Sequence, residues 1–131
     1  MAMATFTFLM TQSPLSGSSH YLALDFARAL LAAGHSLQRV FFYQDAVYVG
    51  LNGQTPIQGQ QPLLQAWQEL SAAHQVPLQL CIANALRRGV VDSTEQQRYN
   101  LPAETLASGF ELAGLGEMAS ACQESDRVIR F

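Results

Sequence analysis

The segment Leu37 to Tyr43 (LQRVFFY) closes on Val40, Phe41, Phe42 and Tyr43 with no polar residue between them. A strand with one wet face alternates apolar and polar side chains. One that does not alternate is buried on both faces, as in a parallel sheet layered between helices. The flanking sequence agrees with that demand. Leu22, Phe26 and Leu30 recur at helical spacing with Ala23, Ala27 and Leu31 beside them. Ser18 or Ser19 is placed for an N-cap and Gly34 for a stop. Further on, Leu63, Ala66, Trp67 and Leu70 form a second apolar stripe, with Pro62 suited to the first helical turn and His74 to Pro77 ending it.

The remaining elements follow in the same rhythm. Thr5 to Met10 (TFTFLM) and Leu78 to Ile82 (LQLCI) read as strands, Phe110 to Leu112 as a short extended piece, and Arg127 to Phe131 (RVIRF) as an edge or terminal strand. Ala83 to Arg88 reads as a helical turn or more stopped by Gly89. Asp92 and Glu95 have the spacing of a capping box for a short helix through Tyr99, and Gly114 to Cys122 reads as a last helix. Two stretches, Thr11 to Ser19 and Asp45 to Gly59, carry Ser, Gly and Pro without a periodic apolar pattern and read as loops. The sum predicts an α/β fold: a single doubly wound domain over residues 1–131, with a mainly parallel sheet of about five strands flanked by helices, flavodoxin-like in outline.

Composition narrows the function classes. Only 13% of the 131 residues are charged, against about 25% in an average domain. Burial of part of the surface against other subunits accounts for such a deficit. The net charge is −3 and the only adjacent cations are Arg87 and Arg88. That argues against a standing nucleic-acid footprint and against attraction to an anionic membrane. No apolar run approaches the roughly 18 residues of a membrane span, and the first residues lack a secretory pattern. Two cysteines, Cys81 and Cys122, are too few for a disulfide scaffold. The expected setting is cytoplasmic, with reduced thiols.

In a doubly wound sheet, sites lie beyond the carboxyl ends of the strands. Three segments qualify: the loops after the first and second strands, and the end of the third strand, where Cys81 stands. A cysteine at a strand-to-helix junction meets unpaired N–H groups that favour its thiolate, the nucleophilic form. A strand cysteine is also often plain core, and position alone leaves both readings open. Arg87 and Arg88 would support the thiolate if they folded back, contact a partner, or serve as solvated charge. Cys122 reads as packing or incidental. His20, His35 and His74 share no metal-ligand spacing with the cysteines, so no metal is expected. His20 reads as a surface or capping residue, with proton carriage as the sharper alternative. The Thr11 to His20 loop with Tyr43, Tyr48 or Trp67 also fits a flavin phosphate site; ordinary loop punctuation fits it as well.

The stretch that begins at Cys81 (CIANALRRGVVD) closely resembles the active-site segment of the DsrE/DsrF-like family, in its Tus-type sulfur-relay branch. The FFY strand end followed by Asp45, Val47 and Tyr48 is similar too, as are Ala66-Trp67-Gln68, Gly114-Leu115-Gly116 and Asp126-Arg127-Val128. The resemblance implies a DsrE-like fold and a sulfurtransferase subunit with Cys81 as its catalytic persulfide carrier. It implies a TusA-like sulfur donor, a TusE-like acceptor and TusB-like and TusC-like subunits in a heterohexamer, serving 2-thiolation of the tRNA wobble uridine. No organic cofactor, no membrane and no direct stable tRNA binding are implied. A carrier in sulfur oxidation and a non-catalytic structural or regulatory subunit are the alternatives within the same family.

Overall fold

The computed structural model describes residues 3–131. Five strands form one sheet: β1 (Thr5–Met10), β2 (Ser36–Phe42), β3 (Leu78–Cys81), β4 (Phe110–Ala113) and β5 (Arg127–Arg130). Their order is β4-β3-β2-β1-β5, and every neighbouring pair is parallel. The helices are α1 (Ser19–Ala32), α2 (Leu63–His74), α3 (Ile82–Arg87), α4 (Ser93–Arg98) and α5 (Leu115–Glu124). The expected doubly wound α/β fold is therefore present, with an all-parallel sheet.

Parallel pairing forces each connection to cross over a face of the sheet. Successive side chains on a strand point to opposite faces, and the two faces are unlike. Phe8 and Met10 of β1, Val40 and Phe42 of β2, and Leu78 and Leu80 of β3 point to the side of α1 and α2. They join Ala23, Ala27, Trp67 and Leu70 in the main core. The opposite side holds a smaller cluster of Phe41, Cys81 and Met118, the last from α5. The continuous VFFY run is explained: Val40, Phe41 and Phe42 are all fully buried because β2 is covered on both faces.

Three local expectations are corrected. Part of the Asp45 to Gly59 stretch is a 3₁₀ segment, Gln44–Gly50, which buries Ala46, Val47 and Val49. A 3₁₀ helix repeats every three residues, so a 3.6-residue template does not register it. The third strand stops at Cys81, and Ile82 already opens α3. Only half of the capping box forms: Asp92 accepts the Glu95 N–H at 2.9 Å, while the Glu95 side chain turns to Arg98 instead.

Candidate functional site at the carboxyl end of β3

The chain leaves β1, β2 and β3 toward the α1/α2 face, whereas β4 leads into α5 on the other face. Adjacent strands β3 and β4 thus part in opposite directions, and a crevice at such a topological switch point is where open α/β sheets place their sites. Cys81 ends β3 beside this point. It pairs in register with Ala113, the last residue of β4. Phe42 is paired with Leu80, so Tyr43, the next residue along, borders Cys81 on the β2 side. Met118 of α5 joins the same cluster, with Leu9, Tyr43 and Ala113 around it. Cys81 is 2% exposed.

Local sequence produces this junction. Ala83, Ala85, Leu86 and Arg87 are good helix formers. Cys81 is the N-cap residue, and Gly89 at φ +76° closes the segment in the left-handed region. The helix is clamped to the turn after β2. Asn84 Oδ1 accepts the Gln44 backbone N–H at 2.5 Å, which holds Gln44 at φ +52°, a conformation uncommon outside glycine. One turn later, Arg88 Nε donates to Asp45 Oδ1 at 2.9 Å and its Nη1 to the Asn84 carbonyl at 3.1 Å. Asn84 and Arg88 are four apart, on one helical face. Arg88 is thereby engaged with Asp45, while Arg87 is exposed and makes no hydrogen bond or ion pair among the described residues. Neither guanidinium is brought into a bond with Cys81.

Beneath α5, the Arg39 side chain is 13% exposed. Its Nη1 donates to Gln79 Oε1 at 3.1 Å and to Glu117 Oε2 at 2.9 Å, and Gln79 Nε2 donates to Glu111 Oε1 at 2.9 Å. This row fastens α5, and with it Met118, over the sheet. Cys122 lies on the exposed side of α5, and both cysteines are free.

His20 differs from its expected surface position. It is 2% exposed and uses both ring nitrogens: Nδ1 accepts from Trp67 Nε1 at 3.2 Å, and Nε2 bonds the Gln12 carbonyl at 2.9 Å. Since the indole N–H can only donate, the ring proton sits on Nε2. Burial lowers the His20 pKa, opposed in part by the Gln12 carbonyl. Trp67 is fully buried, so it presents no ring to a flavin. Asn84, Arg39 and Met118 were not marked by sequence reasoning. For Asn84 and Arg88 a usable signal existed in their four-residue spacing.

The class follows from fold and comparison together: the chain belongs to the DsrE/DsrF-like family, whose profile matches residues 4–131. Among its relatives, the sulfurtransferase TusD of Cronobacter sakazakii is 43% identical over 126 residues, spanning 96% of this chain and 98% of that protein. The TusD homolog of Vibrio cholerae is 43% identical over 127 residues, 97% of each chain. The crystal structure of the YchN protein of E. coli superposes with a TM-score of 0.77 at 28% identity, covering 98% of this chain and all of that one.

Proposed function

We propose that this chain is a sulfurtransferase of the TusD type and that Cys81 is its sulfur carrier. The observation that carries the reading is placement: of the two cysteines, Cys81 alone stands at the switch point between β3 and β4. The Cys81 thiolate attacks the outer sulfur of a donor persulfide. A new S–S bond forms on Cys81, the donor's S–S bond breaks, and the donor departs as a thiolate. An acceptor thiolate then attacks the outer sulfur of the Cys81 persulfide and releases the Cys81 thiolate. No redox partner is consumed.

In the proposed relay the donor is TusA-like and the acceptor TusE-like. TusB-like and TusC-like chains complete the assembly in the cytoplasm, and the sulfur is destined for 2-thiouridine in tRNA. Arg87, exposed at the far end of α3, is free to contact a partner. Arg88 acts one step removed, by fixing the turn beside Tyr43.

Intact-protein mass spectrometry tests the reading after incubation with a cysteine desulfurase, cysteine and a TusA-like donor. One reductant-labile sulfur is expected on the Cys81 peptide, absent in Cys81→Ser and retained in Cys122→Ser. No added sulfur, with a loaded donor and the partner subunits present, assigns the chain a structural or regulatory role instead. The 2% exposure of Cys81 is the observation that keeps that second reading in play.

A further inference from the structure

Strand β4 is an edge strand, hydrogen-bonded to β3 alone. Half of the backbone groups of an edge strand point outward and offer a template for a further strand. On the α2 side of β4 runs a groove of about 580 Å3 bounded by Leu64 and Gln68 of α2 and by Phe110, Glu111 and Leu112 of the strand, while Cys81 and Ala113 lie on the other face of the same edge. Ala113, the residue following Leu112, is the register partner of Cys81. Its methyl group is the smallest obstacle on any side of the thiol; Tyr43 and Met118 bound the others. The groove carries carboxylates from Asp92, Glu104 and Glu111, and no Lys, Arg or His lines it.

Within the sulfur-carrier reading above, we propose that the open β4 edge is the docking surface for the sulfur-exchanging protein. The occupant is an extended, basic segment of that partner, which adds as a strand beside β4 and brings its sulfur past Ala113 to Cys81. Main-chain hydrogen bonds to an edge give affinity, and side-chain pockets and charge give choice of partner. A second copy of this chain is a poor occupant, because two such acidic edges repel each other. Nucleic acid is disfavoured for the same reason.

The test uses full-length protein carrying Cys122→Ser. The probe is a short synthetic peptide of alternating Lys and Val, ending in a cysteine activated as its 2-thiopyridyl disulfide. An otherwise identical peptide with Glu in place of Lys is the control. The Cys81 thiolate forms an S–S bond to the peptide sulfur, the bond to the thiopyridyl group breaks, and pyridine-2-thione is released and measured. The basic peptide is expected to react roughly tenfold faster at low salt, with the difference collapsing above about 0.5 M salt. Glu104→Gln is expected to shrink the difference, and Ala113→Leu to slow both peptides. Equal rates for the two peptides, or no response to Glu104→Gln, would overturn the proposal. So would a dimer in light scattering that excludes both peptides, since a second copy would then hold the edge. Sulfur loading is read separately by mass. Charge-selective coupling without loading would retire the carrier role and leave the docking edge. Loading without charge selectivity would do the reverse.

Discussion

The His20–Trp67 pair makes the most quantitative prediction. Replacing His20 by Phe keeps a planar ring against Phe42, whose centroid lies 6.0 Å from the imidazole in a stacked arrangement. It removes the acceptor of the Trp67 indole N–H and the donor to the Gln12 carbonyl. These losses are unequal. Gln12 is an exposed residue, so water can satisfy its carbonyl, whereas Trp67 is fully buried and its N–H has no other partner. The orphaned N–H sets the magnitude, about 1–3 kcal/mol, at neutral pH and above. Acid should narrow the gap. Protonating Nδ1 of His20 would turn a second donor against the indole N–H inside an apolar pocket, and burial already holds the His20 pKa below 6.5. The folded pKa being depressed, the contribution is complete above the unfolded value near 6.5. It is lost as pH falls from there through the folded pKa, at no more than about 1.4 kcal/mol per pH unit. Urea titrations followed by the fluorescence of Trp67, the sole tryptophan, measure both effects. The wild type should lose stability more steeply than His20→Phe between about pH 6.5 and pH 5. Parallel pH profiles for the two proteins would refute the lowering of the His20 pKa by burial, because the other histidines and all the carboxylates are common to both.

Four further outcomes follow from packing and turn geometry. Gly50→Ala would place a Cβ 2.7 Å from Leu80 Cδ2, next to the strand residue preceding Cys81; a loss of about 1–3 kcal/mol in chemical denaturation is expected from overpacking. Asn84→Ala removes the acceptor of the Gln44 N–H and should cost about 0.5–1.5 kcal/mol in chemical denaturation. Asp45→Asn breaks only a surface pair whose carboxylate side chain is 58% exposed and should cost less than about 1 kcal/mol. Gln75 closes α2 at φ +54°, and Gln75→Gly should raise stability by a net of no more than about 1 kcal/mol, read as a higher urea midpoint, because about 1–2 kcal/mol of relieved left-handed strain is offset by about 0.5–1 kcal/mol of added chain entropy in the unfolded state.

Much of the frame was legible in the sequence because burial leaves a one-dimensional trace. The VFFY run demanded a strand covered on both sides, and Val40 to Phe42 are covered by the main core on one face and the α5 cluster on the other. The helical stripes of α1 and α2 registered for the same reason. What stayed hidden was decided by partners distant in sequence. The loop preceding His20 reads as solvated punctuation until Trp67, 47 residues away, supplies an indole N–H to the ring. Arg88 reads as a free cation near a nucleophile until Asp45, 43 residues back, engages it. The 3₁₀ segment escaped because its buried residues follow a period of three.

The candidate site shows both sides of this. Cys81 stands at a strand end that local sequence already marked, with the following IANALR run forming the helix. The switch point, however, exists only because α5 returns across the opposite face and places β5 beside β1. That return also brings Met118 over Cys81 and buries it. A mobile, exposed thiol would need no opening step. The buried one is reached past Ala113 from the β4 edge, or by yielding of the Asn84 clamp or of the Arg39–Glu117 fastening of α5 when a partner arrives. The routes are separable. If α5 is the moving part, Glu117→Gln should speed maleimide labelling of Cys81 severalfold in a Cys122→Ser background and Asn84→Ala little. If the turn after β2 moves, the order reverses. Labelling that neither change accelerates would mean that the thiol is reached past Ala113 from the β4 edge, without movement of either cover.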